Sequence, residues 1–195
     1  MSPAFSLCVY CAASHSTDPV YAAAAREIGH WIGARGGQLV YGGGHHGLMG
    51  VVADAALESG APVVGIIPKA MVEREWAYEG CTELHIVDTM HERKRMMAER
   101  SDAFVALPGG VGTLEELFEA WAWRQLGYHD KPIGLLNVAG YYDGMLRFLE
   151  HGVSTGLLSP DVMPLVRWDD QAARLLPALL EEARLTRSNG RLAEL

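Results

Sequence analysis

Residues 103–116 read Ala-Phe-Val-Ala-Leu-Pro-Gly-Gly-Val-Gly-Thr-Leu-Glu-Glu. An unbroken apolar run, Ala103–Leu107, meets a glycine-rich turn, Pro108–Thr113, and then helical spacing of apolar residues from Leu114 to Leu126. A strand that is apolar at every position, rather than at every second one, belongs in a sheet covered on both faces. The pattern recurs along the chain. Strands are expected at Ser6–Tyr10, Gln38–Tyr41, Val63–Ile67, Glu83–Val87 and Ile133–Leu136, with a short one near Leu165–Trp168. Between them lie helical stretches at Val20–Arg35, Leu48–Ser59, Met90–Arg100, Tyr142–His151 and Asp170–Arg184. Such alternation predicts an α/β fold, a doubly wound and mostly parallel sheet with helices on both faces.

The chain's 195 residues and 21.2 kDa suit one domain, 1–195, with Leu185–Leu195 expected as a frayed tail. The first residues lack the basic segment of a signal peptide, and no apolar stretch reaches the roughly 20 residues of a membrane helix. A cytoplasmic protein without a membrane partner is expected. Its net charge of −8 repels nucleic-acid backbones, so no nucleic-acid partner is expected either. A small anion is another matter, because Arg93, Lys94, Arg95 and Arg100 concentrate positive charge in one short segment. The three cysteines, Cys8, Cys11 and Cys81, fit a reducing compartment. Cys8 and Cys11 have redox-motif spacing, but at the end of a strand positions three apart face opposite sides, so buried small hydrophobes are the better reading.

Ligands of such sheets bind beyond the carboxyl ends of the strands. Three segments lie there. Ala12-Ala-Ser14-His-Ser16 follows the first strand. Gly42-Gly43-Gly44-His45-His46-Gly47 follows the second and formally matches a dinucleotide fingerprint. The following strand ends Ile66-Ile67-Pro68-Lys69 without the acidic residue that would hold a ribose, so a dinucleotide is discounted, while phosphate or sugar contact and a tight structural turn stay equally open. His45 and His46 lack a companion ligand set and read as solvated, not metal-binding. Pro108–Thr113 is a phosphate cradle: Gly109, Gly110 and Gly112 let backbone N–H groups turn inward, and the next helix adds its positive end. No Walker-type Gly-Lys-Ser/Thr follows, so triphosphate hydrolysis is not expected. Thr113-Leu114-Glu115-Glu116 also has the spacing of a capping box, and local spacing favours that role for Thr113 and Glu116. Met90, Arg93, Lys94 and Met97 fall on one helix face, where Arg93 and Lys94 would meet an anion at the ligand edge.

Taken together, Asp88-Thr-Met-His-Glu-Arg-Lys94, Leu107-Pro-Gly-Gly-Val-Gly-Thr-Leu-Glu-Glu116 and Gln125-Leu-Gly-Tyr-His-Asp-Lys-Pro132 resemble the LONELY GUY (LOG) family, the cytokinin riboside 5′-monophosphate phosphoribohydrolases. Tyr41–Gly50 and Asn137-x-x-Gly-Tyr-Tyr142 match the same pattern, and the likeness runs from about Ser6 to His151. The resemblance implies a Rossmann-like homodimer that hydrolyses the N-glycosidic bond of N6-isoprenoid adenosine 5′-monophosphate, without a metal or organic cofactor. It implies Arg93 and Glu116 as the catalytic pair. It implies contacts to the nucleoside 5′-monophosphate from Glu75, Arg93, Lys94 and the loop Gly109, Gly110, Val111, Gly112, Thr113, Leu114, Glu115 and Glu116, to which Gly43, Gly44, Met90 and Ser14 are added from their place at the ligand edge. Ala122 stands where plant members often carry a hydroxyl residue. Two alternatives stay open: a plain AMP hydrolase, and a non-catalytic nucleotide or cofactor carrier of the same fold. A lysine-decarboxylase label attached to some relatives has no support in the sequence, since none of the three lysines sits in an evident pyridoxal-phosphate site.

Overall fold

The structure is a computed structural model and describes residues 2–14, 18–73 and 77–188. Strands β1 (Ser6–Tyr10), β2 (Gln38–Tyr41), β3 (Val63–Pro68), β4 (Glu83–Val87), β5 (Ala103–Ala106), β6 (Ile133–Leu136) and β7 (Val166–Asp169) form one sheet. Its order is β4-β3-β2-β1-β5-β6-β7, and every adjacent pair is parallel. The expected doubly wound sheet is therefore present. The short last strand spans Val166–Asp169, one residue beyond its expected place.

The helices are α1 (Pro19–Ala34), α2 (Gly47–Glu58), α3 (Lys69–Val72), α4 (Met90–Glu99), α5 (Val111–Gln125), α6 (Asp143–Ser154) and α7 (Ala172–Ser188). Strand pleating sorts the side chains between two layers. Leu7 and Val9 of β1 pack with Ile28 and Ile32 of α1, Val52 and Ala56 of α2, and Leu175 and Leu179 of α7. Cys8 and Tyr10 point the other way, to Met97 of α4, Leu117 and Trp121 of α5, and Leu146 of α6. Cys8 and Cys11 consequently lie in different layers, both buried and both free thiols. Burial pushes the Cys8 thiol up to about 12, so it is an inert thiol and not half of a redox pair.

Some boundaries and short elements differ from the sequence reading. The helix expected from Leu114 begins at Val111, because Gly110 is already the extended residue before it (φ −85°, ψ −160°) and Gly112 sits inside the first turn. Helix α7 runs through Ser188, so the first residues of the expected frayed tail are helical. The single turn α3 and the 3-10 turns at Val138–Gly140 and Pro160–Leu165 are too short to leave a periodic signal. Among the described residues no helix is long and apolar enough to cross a membrane.

Candidate active site

Strand order reverses between β1 and β5, the switch point at which open α/β sheets leave a crevice. A cavity of about 340 Å³ opens there. Cys11, Ala12, Ala13 and Ser14 after β1, and Gly42, Gly44 and His46 after β2, form part of its wall. The first turns of α5 add Gly110, Gly112, Thr113, Glu115 and Glu116 on one side. Met49 of α2, Ile67 of β3, Met71 of α3 and Met90 of α4 add an apolar surface, and Arg93 completes the lining.

Arg93 and Glu116 face each other within this wall. Arg93 Nη1 lies 3.0 Å from Glu116 Oε1, with the two side chains only 8% and 10% exposed. The guanidinium also donates through Nε to the Ile66 carbonyl at 3.1 Å and through Nη2 to the Gly42 carbonyl at 3.2 Å. One side chain thus ties β3, the β2 loop and α5 together at the ligand edge. The approach explains Gly42, since a Cβ there would collide with Arg93 Nη2. Burial raises the Glu116 carboxyl above the ordinary carboxylate range; Arg93 and Lys94 pull it down, and Glu115 and Glu119 push it up. A carboxylate poised in this way is suited to taking up and returning a proton.

This pair displaces the capping-box reading. Gly110 is the N-cap of α5 and offers no side chain, so Thr113 stands inside the first turn and Glu116 a turn further on, bonded to Arg93. Local spacing does not separate the two roles, because the partner comes from another helix. The capping box lies instead at α4: Glu92 N donates to Thr89 Oγ1 at 3.1 Å, and Thr89 N donates to Glu92 Oε2 at 3.2 Å. No side chain caps the start of α5, and Gly110, Gly112 and Thr113 there line the cavity, an arrangement suited to an anion.

Other expected residues divide. Ser14, Gly44, Met90, Gly110, Gly112, Thr113 and Glu115 line the cavity with Arg93 and Glu116. Gly43, Gly109, Val111 and Leu114 do not: Gly43 turns the loop with φ +75°, Gly109 packs on Thr113, and Val111 points outward. Lys94 is not among the residues lining the cavity. It is buried, but α4 turns it away from the cavity to Glu115 and Glu119, with Nζ 2.5 Å and 2.9 Å from their Oε1 atoms. Adjacent helix positions diverge by about 100°, so Arg93 and Lys94 serve different partners. Glu75 lies outside the described residues.

Further supports of the site fall within the family motifs, whose spacing does not say what they bond. Tyr142 Oη donates to the Leu107 carbonyl at 2.5 Å and Tyr141 Oη to the Gly109 carbonyl at 2.8 Å, while Asn137 Oδ1 accepts from Tyr142 N at 2.7 Å. The Asn137–Tyr142 motif therefore clamps the backbone of the glycine turn. His129 is buried against Phe104, bonded to the Ala120 carbonyl at 3.0 Å and accepting from Lys131 N at 3.1 Å. His45 is not simply solvated: it bonds Asp54 at 3.0 Å and stacks on Tyr78 at 4.0 Å. Among the described residues no three His, Cys, Asp or Glu side chains are grouped to hold a metal ion.

Fold and switch-point cavity define a Rossmann-like α/β protein. Solved structures agree: the molybdenum cofactor carrier protein of Chlamydomonas reinhardtii superposes with a TM-score of 0.69 at 20% identity, over 95% of this chain and 99% of that one. Residues 49–179 match a protein-family model described as "Possible lysine decarboxylase". The cytokinin riboside 5′-monophosphate phosphoribohydrolase LOG3 of Arabidopsis thaliana is 46% identical over 91% of this chain and 82% of its own length. The probable cytokinin riboside 5′-monophosphate phosphoribohydrolase LOGL2 of Oryza sativa subsp. japonica is 49% identical over 82% of this chain and 66% of its own. The chain belongs to the LONELY GUY family. The decarboxylase wording of the family model finds no counterpart in the cavity, whose lining includes none of the three lysines.

Proposed function

We propose that the protein hydrolyses the N-glycosidic bond of N6-isoprenoid adenosine 5′-monophosphate, releasing the free cytokinin base and ribose 5-phosphate. One observation carries the mechanism: a buried Arg93–Glu116 pair in a cavity wall beside the uncapped N-terminus of α5. The family relationship to phosphoribohydrolases supplies the reaction class.

The 5′-phosphate is held by the backbone N–H groups at the start of α5, around Gly112 and Thr113. That places the ribose over Glu116, one turn deeper. As the C1′–N9 bond breaks, its electron pair leaves with the base and positive charge develops on the sugar, which the carboxylate stabilises. Glu116 takes a proton from the attacking water, the water oxygen bonds C1′, and the proton goes on to the departing base. Arg93 stays protonated throughout and acts as the group that orients Glu116 and keeps part of it ionised. The apolar side chains Met49, Ile67, Met71 and Met90 in the cavity lining suit an isoprenoid tail.

The working unit is read as a single domain, 1–195, in a cytoplasmic homodimer. The free thiols fit a reducing compartment. The exposed face of α5, with Val111, Phe118 and the adjoining Leu126, supplies an apolar surface for a second copy. Light scattering on the purified protein checks the dimer. Incubation with isopentenyl-AMP and with AMP, with chromatography of base and sugar phosphate, tests the reaction. Equal turnover of both would leave a general nucleotide hydrolase, and binding without release would leave a carrier.

A further inference from the structure

We infer that Lys94 is a positioning residue that acts through Glu115 and Glu119, and not a contact to the nucleotide's phosphate. The inference rests on the hydrolase reading above for its kinetic test, though not for its binding test.

Three carboxylates, Glu115, Glu116 and Glu119, crowd adjacent turns of α5, near the phosphate site proposed above. Two cations answer them. Arg93 takes Glu116, and Lys94 takes both others from the neighbouring helix. Lys94 is buried and absent from the cavity lining, whereas Glu115 is part of it. An ammonium has three donor hydrogens, and two of them are committed to the carboxylates. Both bonds raise the affinity of Lys94 for its proton despite its burial, so the charge is permanent.

The consequence for Glu116 is electrostatic. Arg93 and Lys94 favour its ionised form, whereas Glu115 and Glu119 disfavour it. The other titratable groups around it, Cys8, Tyr10 and Cys11 at the end of β1, are held neutral by burial. Removing Lys94 leaves two uncompensated carboxylates one position before and three after Glu116. They oppose its ionisation and repel the incoming phosphate. Restoring the net charge without restoring the lysine should then restore function.

Lys94→Met and Lys94→Met/Glu119→Gln test this. The second variant has the same net charge in the cluster as the native protein. Glu119 does not line the cavity, and Glu119→Gln alone is the control, expected within about threefold of native kcat/KM. Lys94→Met should lose about tenfold or more in kcat/KM on isopentenyl-AMP. Its acidic pH limb should move up by about half a unit or more. The double variant should recover to within about threefold, with its limb back near the native position. Lys94→Arg should retain most activity. Thermal unfolding of each variant shows that the fold persists. Equal loss in Lys94→Met and the double variant, with no movement of the pH limb, would make Lys94 a direct ligand contact and overturn the inference. Native protein that binds isopentenyl-AMP without releasing any base sinks the hydrolase reading instead. AMP affinity by calorimetry then decides on Lys94: recovery in the double variant supports positioning, and equal weakening in both variants overturns it.

Discussion

Glu116 and Arg93 differ in what their loss should do. Glu116→Gln keeps the shape and removes the charge, so the variant should fold, bind nucleotide and lose on the order of a hundredfold or more in base release. Its stability has a definite sign with pH. Burial raises the native carboxyl, so the protonated form is the one the fold favours. Its stabilising effect is complete below the unfolded value and is lost as pH rises through the native one. Glu116→Gln should therefore gain stability relative to the native protein as pH rises above about 4 in urea unfolding. Arg93→Lys keeps a charge but cannot reach Ile66, Gly42 and Glu116 together, and should lose comparable activity with weaker nucleotide binding. His129 behaves oppositely to Glu116. Burial lowers it to about 4, and the bonds to Ala120 and Lys131 require a neutral ring. Its contribution is complete above the unfolded value near 6.5 and fades as pH falls toward 4, by about 3 kcal/mol. His129→Gln should remove that part of the acid sensitivity. In the sequence, the Arg93–Glu116 pair is legible only through the family motifs. Glu116's own neighbourhood spells a cap, and a residue's neighbourhood carries no record of a partner on another helix.

At the scale of elements, the glycine turns are readable and the exact start of α5 is not. Glycine-rich sequence reads as loop, but Gly112 is helical and has open space where a Cβ would be. Gly112→Ala should therefore raise stability by about 0.5–1 kcal/mol while weakening nucleotide binding, because the new methyl group stands at the cavity wall. Calorimetric affinity and thermal unfolding on one preparation check both halves. A variant stabilised with undiminished affinity would place the phosphate elsewhere. Strands are legible to within a residue or so of their true ends because all-apolar runs bounded by glycine, proline or charge have few other readings. The opposite fates of Arg93 and Lys94 are not, since a shared helix face at spacing one apart is only approximate and burial alone does not say against what.

Across the whole molecule, one cavity is lined both by the start of α5, proposed above to hold the phosphate, and by the apolar Met49, Ile67, Met71 and Met90. A substrate that spans both should beat one that fills either. Isopentenyladenosine, lacking phosphate, and AMP, lacking the tail, are each expected to have kcat/KM well below that of isopentenyl-AMP; comparable values for nucleoside and nucleotide would reject the α5 phosphate site. The strand order carries a second consequence, for the chain as it leaves the ribosome. Strands β1 to β4 add outward one after another, so half the sheet can assemble while synthesis is still under way. Its inner border is then β1, buried along its whole length in the finished fold, waiting for β5 to be made and to pair Leu7 with Ala103. Until that strand arrives, the future centre of the protein is an open sheet edge, the kind of surface on which nascent chains aggregate and which chaperones cover.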